Sequence, residues 1–328
     1  MDVMHQFELY RPGSLDDAQA ILRDNRDAWI IAGGKDSLDW FKTRVMQPPA
    51  VVDISGIEEL HGIRAEEDGG LWIGATTTLT EIAEDAEVNA RFPMLAQSAL
   101  VVASPQIRNL GTLGGNLAQD TRCSYYRDGF PCYRAHGNTC YANTPTAMNR
   151  EHALFEVSRC VAITPSDTAP AVVALEAVML VQRGRNTLEV PAAEFFIGPA
   201  IDITRMTMLE QGDILLGVRI PGKWAGAHQY YEKVAERRSW DFALGSIAMA
   251  ARMDGGTVAE VSMVCGAVQC TPRRMRDVES LITGEAPDAE LQELVKRVAA
   301  RGAQPLNYNH FKIPLMENLA VRAVRSLA

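Results

Sequence analysis

The sequence predicts an α+β protein of two or three domains, and three observations lead to this fold class. The chain has 328 residues, which is too long for one ordinary hydrophobic core. In its first third, short apolar runs that suit strands alternate with segments that suit helices. Two Asp-Gly-Gly turns, at 68–70 and 254–256, each separate a pair of strand-like runs, so both predict β-hairpins.

The composition and charge argue against several classes of partner. Hydrophobic residues make up 47% of the chain and charged residues 22%, as in soluble globular proteins. A formal net charge of −9 argues against nucleic acid and anionic membranes, because both attract basic surfaces. No basic and apolar leader precedes Phe7, and the most apolar run, 169–181, is short and contains Glu176. We therefore expect a cytoplasmic protein with no membrane or nucleic-acid partner.

The N-terminal third carries clear signals for the ends of its elements. Residues 7–12 suit a short strand, and Ser14 suits the N-cap of a helix over 15–23. Thr78 and Glu81 have the spacing of a capping box, which places a helix start directly after Thr78. The other elements expected in this part are strands at 29–32, 51–54, 62–65 and 71–74 and a helix at 91–102.

Regular patterns return at Thr164, after an irregular stretch, and continue to the C-terminal end. Pro221-Gly222 follows a predicted strand and marks a domain boundary. The elements expected in this part are a helix ending at 175, strands at 177–182, 214–220, 244–253 and 257–264, and helices at 274–283, 288–302 and 315–327.

Two glycine-containing loops have a form that binds phosphate groups. Gly33 and Gly34 end the predicted strand at 29–32, and a second loop, 103–120, has glycines at 111, 114 and 115. Because glycine has no Cβ, closely spaced glycines let backbone N–H groups turn toward one anion. Neither loop has the G-x-G-x-x-G spacing, so a nicotinamide-type Rossmann site is not indicated. Taken alone, each loop is better explained by an ordinary turn.

Four cysteines lie in an irregular segment, 121–163. Cys123, Cys132, Cys140 and Cys160 follow the pattern C-x8-C-x7-C-x19-C. Zinc sites usually contain a C-x2-4-C pair, which this segment lacks, whereas four scattered thiolates suit the corners of an iron–sulfur cluster. The spacing alone leaves a cluster, a zinc site and unliganded thiols as equal alternatives.

The chain has further candidate ligands for which we expect a simpler role. His136 and His152 lie in the same segment and could replace a thiolate, but we expect both to be exposed loop histidines. Cys265 and Cys270 lie on or just past a predicted strand at an odd separation, which directs them to opposite sides. We expect these two to be buried thiols rather than metal ligands.

Together, these motifs resemble a known family. The residues that carry the resemblance are Ala32-Gly33-Gly34 with Ser37, the run from Ile107 to Asn116, Pro165-Ser166-Asp167 followed by Ala169-Pro170-Ala171, Tyr231-Glu232-Lys233 and Asp241-Phe242-Ala243. Over essentially the whole chain they resemble the FAD-binding medium subunit of the xanthine dehydrogenase, or molybdenum hydroxylase, family. Lys35 and Leu113 depart from the family pattern, in which Thr or His and Ile are more common at these positions.

The resemblance implies a fold of three parts. Two N-terminal α/β subdomains of the vanillyl-alcohol-oxidase type would hold FAD, and a C-terminal α/β domain would cover the isoalloxazine ring. In this sequence the parts would span 1–57, 58–222 and 223–328, and the cysteine-containing insertion would span about 121–163.

The resemblance also implies roles for single residues. The backbone at 33–37 and 112–115 would bind the pyrophosphate, Asp167 would bond the ribityl or ribose hydroxyls, and Lys233 would approach the flavin ring. Without the resemblance, Asp167 is a helix N-cap and Lys233 a solvated lysine. The full implied set of cofactor-binding residues is Ala32, Gly33, Gly34, Lys35, Asp36, Ser37, Leu38, Thr112, Gly114, Gly115, Asn116, Asp120, Asp167 and Lys233.

The insertion resembles one branch of this family. In most members, the connection between the second glycine motif and the Ser-Asp motif is much shorter. The longer form is similar to aldehyde oxidoreductases of the periplasmic bacterial type and to 4-hydroxybenzoyl-CoA reductase, whose medium subunit holds a 4Fe-4S cluster as well as FAD. The resemblance therefore implies a 4Fe-4S cluster on the four clustered cysteines, with zinc as the alternative.

The function implied is that of an electron-transfer subunit in a heteromeric oxidoreductase. Electrons would pass between FAD and the 2Fe-2S clusters of a small partner subunit, while the molybdenum reaction occurs on a large molybdopterin-binding subunit. Ferredoxin or another external carrier would be a further partner. The alternatives are a stand-alone flavin oxidase and a zinc-stapled interaction module without redox activity. Export together with a signal-bearing partner is the alternative to a cytoplasmic location.

Overall fold

The strands of this protein form three separate sheets. The structure is a computed structural model that describes residues 4–328. The strands are β1 (Glu8–Tyr10), β2 (Trp29–Ile31), β3 (Ala50–Asp53), β4 (Ile63–Ala65), β5 (Leu71–Gly74), β6 (Val178–Arg183), β7 (Asn186–Pro191), β8 (Ile214–Ile220), β9 (His228–Val234), β10 (Gly245–Asp254), β11 (Thr257–Gly266) and β12 (Arg273–Arg274).

The α-helices lie between these strands and after the last of them. They are α1 (Leu15–Asp24), α2 (Ser37–Lys42), α3 (Leu79–Glu84), α4 (Ala86–Arg91), α5 (Pro93–Leu100), α6 (Pro105–Arg108), α7 (Leu113–Leu117), α8 (Ser124–Arg127), α9 (Ala169–Ala174), α10 (Ala192–Phe195), α11 (Arg276–Ile282), α12 (Ala289–Ala299) and α13 (Lys312–Arg325). The mixture of helices and strands confirms the predicted fold class.

The first sheet is parallel and has the strand order β1-β3-β2. Ser14 accepts a hydrogen bond from the backbone N–H of Asp17, which confirms the predicted N-cap of α1. Helix α1 buries Ala18 and Leu22 in a core that it shares with the sheet. The carboxyl end of β2 leads directly into the first glycine loop, so this sheet fixes where that loop begins.

The second sheet is antiparallel and has the order β4-β5-β8-β6-β7. The predicted hairpin of β4 and β5 is present, and so is the capping box of Thr78 and Glu81 at the start of α3. The helix expected at 91–102 is shorter. Phe92 has a non-helical backbone conformation, and α5 begins with Pro93 as its first residue. Strand β7 was not predicted, although a tight turn at Gly184 precedes it.

The third sheet is antiparallel and has the order β12-β11-β10-β9. The long hairpin of β10 and β11 is the one predicted around the second Asp-Gly-Gly turn, whereas β9 was not predicted. Helices α11, α12 and α13 pack on this sheet around a core that includes Ile247, Met263 and Leu319. The C-terminal helix begins at Lys312, three residues earlier than expected.

Residues 121–163 form mostly irregular structure, as expected. Ring contacts within the segment and hydrogen bonds from α13 hold it in place. Rings of Tyr125, Phe130 and Tyr141 pack against one another within the segment. From α13, the Lys312 ammonium donates hydrogen bonds to the backbone carbonyls of Glu151, His152 and Ala267 at 2.9, 3.1 and 2.8 Å. Burial lowers the pKa of Lys312 to about 7.

The three sheets support the proposed division of the chain into parts. They use strands from residues 8–53, 63–220 and 228–274, which fall within the ranges 1–57, 58–222 and 223–328. We retain this division as a proposal. Among residues 4–328, no helix combines the length and the apolar character needed to cross a bilayer.

Candidate functional site

A cavity of about 610 Å³ lies between the two glycine loops. Its walls come from the end of β2 and the residues after it, from the second loop, and from residues 204–215, which lead into β8. This volume is in the range of pockets that bind cofactors and other small molecules. The cavity is therefore the candidate cofactor site.

The first glycine loop offers backbone donors to this cavity. In the described part of the chain, the backbone N–H groups of Gly33, Gly34, Lys35 and Asp36 donate no hydrogen bond to protein atoms. Gly34 has a φ of 66°, a left-handed conformation that glycine adopts without steric cost. Consecutive free N–H groups in such a turn form a binding site for an anion.

The second glycine loop differs from the first, because the N–H groups of Leu113, Gly114 and Gly115 already donate to protein atoms. The N–H of Gly114 donates to the carbonyl of Ala75 at 2.8 Å, and that of Gly115 donates to the Thr112 hydroxyl at 3.1 Å. The side-chain oxygen Oδ1 of Asn116 accepts hydrogen bonds from the hydroxyls of Ser166 and Thr168, both at 2.6 Å. This loop is thus a rigid wall that is tied to the Ser-Asp motif.

The glycines also let the two loops approach each other closely. A Cβ on Gly33 would lie 1.7 Å from the carbonyl oxygen of Leu110. A Cβ on Gly114 would lie 2.8 Å from the Cβ of Ala75. No side chain fits at either position without movement of the backbone, so the shape of the cavity requires glycine at both.

Most of the residues predicted to bind the cofactor line the cavity. Those that line it are Ala32, Gly33, Gly34, Lys35, Asp36, Ser37, Thr112, Gly114, Gly115, Asn116 and Asp120. Leu38, Asp167 and Lys233 are not among the lining residues. The cavity is also lined by residues that were not predicted to bind the cofactor, namely Arg122, Tyr126, Phe242 and the 204–215 segment. Phe242 belongs to a motif that carries the resemblance and 214–215 begin a predicted strand, but nothing in the sequence marks any of these positions as part of the site.

Asp167 and Lys233 form a buried ion pair with each other. The Lys233 ammonium lies 2.6 Å from Asp167 Oδ2, and the two side chains are 6% and 4% exposed. Lys233 also donates to the backbone carbonyls of Val101 and Asp241 at 3.1 and 2.8 Å. Burial raises the pKa of Asp167 to about 6, although Lys233 acts in the opposite direction. The three hydrogen bonds of Lys233 therefore join the approach to the second loop, the Ser-Asp motif and the loop before β10.

Asp36 ties the first glycine loop to the beginning of the cysteine segment. Its carboxylate accepts hydrogen bonds from Arg122 and Arg127, both at 2.8 Å. The Arg127 guanidinium also lies over the Trp40 ring, 3.6 Å from its centroid, and donates to the Thr121 carbonyl at 2.8 Å. The loop and the cysteine segment are consequently held as one unit.

Replacement of Arg127 by glutamine is expected to lower the free energy of unfolding by about 2 kcal/mol. The variant loses charged hydrogen bonds to Asp36, and the side chain of Arg127 is only 11% exposed. Arg122 is the matched control, because it bonds the same carboxylate but is 34% exposed. Urea unfolding of the purified chain should show a smaller effect for Arg122→Gln, and equal effects would contradict the assignment.

Asp120 is held by a buried arginine rather than left free in the cavity. Arg134 lies 2.7 Å from Asp120 Oδ1 and donates to the carbonyl of Ile203 at 3.0 Å. Burial raises the pKa of Asp120, and Arg134 partly offsets this rise. Burial lowers the pKa of Arg134, but the nearby Asp120 and Cys160 raise it by more, so the pKa lies above its ordinary value. The pair joins the cavity wall at Asp120 to the segment that leads into β8.

The four clustered cysteines come together beside the cofactor cavity. All six cysteines of the chain are free thiols, and Cys132 and Cys160 are buried while Cys123 and Cys140 are half-buried. Burial raises the pKa of Cys123 to about 12, and the thiols of Cys160 and Cys140 add to the rise. Burial likewise raises the pKa of Cys160, and the nearby thiols of Cys140 and Cys132 add to this rise. The four thiols are thus close enough to influence one another electrostatically.

The cysteines do not form a ready-made metal site in the part of the chain that the structure describes. Within residues 4–328, no set of three or more histidine, cysteine or acidic side chains is arranged to hold one ion. Cys265 and Cys270 are buried, as expected.

The expectation that His152 is exposed is wrong, whereas His136 is exposed as expected. His152 is 7% exposed, and its Nε2 lies 3.3 Å from the sulfur of Cys123. The physical reason is that Asn309 and Lys312, at the start of α13, bond the backbone carbonyl of His152 and bury the segment. A lone histidine in an irregular stretch of sequence gives no sign of this long-range contact.

A second cavity lies next to the cofactor cavity, on the side of Cys123. It has a volume of about 280 Å³ and is lined by Cys123 and His152. Arg122 and Phe242 line both cavities. The Arg122 guanidinium lies 5.0 Å from the centroid of the Phe242 ring, so this pair forms the partition between the two spaces.

The class of protein follows from this arrangement and from comparison with known proteins. Residues 5–223 match the family described as the FAD binding domain in molybdopterin dehydrogenase, and residues 229–327 match the CO dehydrogenase flavoprotein C-terminal domain. The fold is therefore that of an FAD-binding flavoprotein. The chain belongs to the family of FAD-binding medium subunits of the xanthine dehydrogenase and CO dehydrogenase type, whose members are subunits of oxidoreductases.

Relatives and solved structures agree with this assignment. The chain is 35% identical over 309 residues to the aldehyde oxidoreductase FAD-binding subunit PaoB of Escherichia coli, with 91% of each chain covered. It is 30% identical over 302 residues to the carbon monoxide dehydrogenase medium chain of Hydrogenophaga pseudoflava, with 92% of this chain and 88% of that chain covered. A solved structure of carbon monoxide dehydrogenase from Hydrogenophaga pseudoflava, lacking the Mo-pyranopterin moiety of its molybdenum cofactor, gives a TM-score of 0.79 at 27% identity, with 99% of this chain and 98% of that chain covered.

Proposed function

We propose that this chain transfers electrons between FAD and the 2Fe-2S clusters of a partner subunit in a molybdenum hydroxylase complex. The observation that carries the proposal is the row of free N–H groups at 33–36, which faces a cavity of about 610 Å³ in a chain of the FAD-binding family. A stand-alone flavin oxidase is not favoured, because the relatives named above are subunits of larger enzymes.

FAD, when bound, can exchange electrons singly or in pairs and so can link a two-electron reaction to one-electron clusters. The residues of this chain bind and orient it. The free N–H groups of the first loop, with Lys35 beside them, would hold the pyrophosphate, since a cation and aligned donors both stabilise an anion. The second loop, from Thr112 to Asn116, would act as the opposite wall.

Leu38, Asp167 and Lys233 remain part of the proposed site, in supporting roles. Asp167 and Lys233 neutralise each other, so we propose that they hold the cavity in shape. Their effect on FAD would be indirect, through Val101 and Asp241, whose carbonyls Lys233 bonds. Leu38 follows the first loop, and its side chain lies 3.5 Å from the position of a Cβ on Gly34.

We also propose a 4Fe-4S cluster on Cys123, Cys132, Cys140 and Cys160. Its support is the gathering of four free thiols that are close enough to influence one another electrostatically. Tyr126 lines the cofactor cavity and also packs in the same apolar cluster as Cys132, which supports a short electron path. The similarity to an aldehyde oxidoreductase FAD-binding subunit agrees with this proposal. Zinc is the alternative metal.

The proposed partners follow from the same relatives. One of them is named a medium chain, so a large and a small partner chain are expected. We propose that the large partner binds molybdopterin, that the small one carries 2Fe-2S clusters, and that ferredoxin or another carrier exchanges electrons with the complex. We propose a cytoplasmic location, with export alongside a partner as the alternative.

The visible spectrum and metal content of the purified full chain test this function. Flavin bands together with a broad iron–sulfur absorption that bleaches with dithionite are expected. Flavin without iron would remove the cluster from the proposal, and zinc in place of iron would support the alternative metal. A colourless protein that does not bind added FAD would overturn the proposed function.

Replacement of Cys140 by serine is expected to lower the iron content strongly while FAD remains bound. A cluster loses stability when one of its thiolate ligands is removed, whereas Cys140 is not among the residues that line the cofactor cavity. Cys265→Ser is the matched control, since Cys265 is a buried thiol outside the group. Iron and flavin analysis of both variants checks this, and unchanged iron in Cys140→Ser would remove that residue from the ligand set.

A further inference from the structure

We propose that His152 is a positioning residue for Cys123 and donates its Nε2 hydrogen to the Cys123 sulfur. This inference rests on the proposed cluster and goes beyond it, because it assigns a residue that sets the electronic state of the metal centre. His152 would not be a ligand itself. It would act through the sulfur of Cys123.

The distance and burial of the two groups support this hydrogen bond. His152 Nε2 lies 3.3 Å from Cys123 Sγ, which is within the range of a hydrogen bond to sulfur. The histidine is 7% exposed, so solvent water does not compete freely for the same donor. A thiolate that is bound to a metal keeps negative charge, and a charged acceptor strengthens the bond.

The surroundings of the ring indicate which nitrogen carries the hydrogen. A neutral imidazole ring carries one hydrogen, on either Nδ1 or Nε2. Among the described residues, Nδ1 is buried and has no hydrogen-bond partner. A hydrogen on Nδ1 would be a buried donor without an acceptor, which is costly. We therefore assign the hydrogen to Nε2, where the sulfur accepts it.

The C-terminal part of the chain fixes the position of this histidine. Asn309 Nδ2 donates to the carbonyls of His152 and Ala153 at 3.1 and 3.0 Å. Lys312 donates to the same His152 carbonyl at 3.1 Å. On the other side, the His152 N–H donates to the carbonyl of Asn149 at 3.2 Å. The ring is thus presented to Cys123 by a backbone that α13 holds in place.

Such a hydrogen bond has a defined effect on a redox centre. A donor to a cluster sulfur stabilises the more negative, reduced form and so raises the reduction potential. Removal of the donor should lower the potential without removing a ligand. A residue with only a structural role would not produce this change.

The test compares three variants of the full chain, loaded with iron. His152→Met keeps the volume but removes the donor, and a lower midpoint potential at unchanged iron content is expected. His152→Gln keeps an N–H donor at similar reach and should restore most of the potential. His136→Met, at an exposed histidine of the same segment, is the control and should match the wild type. Equal potentials in wild type and His152→Met would overturn the inference.

A measurement on the wild type covers the case in which His152→Met loses iron. Protein labelled with ¹⁵N-histidine is reduced, and electron spin echo spectroscopy should show one weakly coupled histidine nitrogen. No coupling would overturn the hydrogen bond, and strong coupling would make His152 a ligand instead. Wild-type chain that holds no iron would overturn both this inference and the proposed cluster. Iron with an unchanged potential in His152→Met would overturn only the role of His152.

Discussion

Replacement of Gly33 by alanine is expected to abolish FAD binding and to lower the free energy of unfolding by about 3 kcal/mol. The added Cβ would lie 1.7 Å from the carbonyl oxygen of Leu110 and 2.6 Å from its carbonyl carbon. Both are backbone atoms, so no rotamer change relieves the overlap and the two loops must separate. The measurements are the flavin content of the purified chain and its urea unfolding curve.

Gly56→Ala is the matched control for this variant. A Cβ at Gly56 meets no heavy atom within 4 Å, and its φ is not in the left-handed region. This control should therefore retain flavin and unfold at close to the wild-type urea concentration. A Gly33→Ala protein that binds FAD as the wild type does would show that the contact between the loops does not shape the site.

Replacement of Lys233 by methionine is expected to cost about 3–5 kcal/mol of stability at neutral pH. The change leaves the Asp167 carboxylate buried without its partner, and it also removes hydrogen bonds to the carbonyls of Val101 and Asp241. Thermal or urea unfolding across a pH series measures the effect. The double variant Lys233→Met with Asp167→Asn should recover much of the loss, because it removes the unpaired charge.

The pH dependence of this loss has a definite sign. The pKa of Asp167 in the folded chain, about 6, lies above its ordinary value of 3.8, so ionisation of this carboxyl favours the unfolded state. Its contribution to stability is therefore lost as pH rises from 3.8 through 6 in the wild type. Without Lys233 the pKa rises further and the loss extends to higher pH. The difference between the variant and the wild type should be smallest near pH 4 and largest above pH 6, and a pH-independent difference would contradict the buried pair.

Local signals in the sequence predicted much of the fold. Ser14, and Thr78 with Glu81, mark helix starts because a cap depends only on residues within one turn. The two Asp-Gly-Gly turns predicted their hairpins for the same reason. Strands β7 and β9 were missed because their half-exposed residues do not form a continuous apolar run.

The candidate site was predicted only where its residues form a local motif. The two glycine loops were found, but which loop has free N–H groups depends on contacts such as that of Gly114 with Ala75. Asp167 and Lys233 were assigned separately to the cofactor, whereas the structure pairs them across 66 positions of the chain. Residues 204–215 line the cavity although they contain no recognisable motif. Their position is set by the pairing of β8 with β5 and β6, which the local sequence does not reveal.

The sequence by itself determined the fold class, the two glycine loops, the cysteine segment and the resemblance to FAD-binding medium subunits. Each of these is encoded in short-range spacing or in residue type. Only the tertiary structure decided that the first loop presents its N–H groups, that Asp167 faces Lys233 and that His152 lies against Cys123. These outcomes depend on contacts between residues far apart in the chain, which form when apolar surface is buried. Spacing along the sequence does not reveal such contacts.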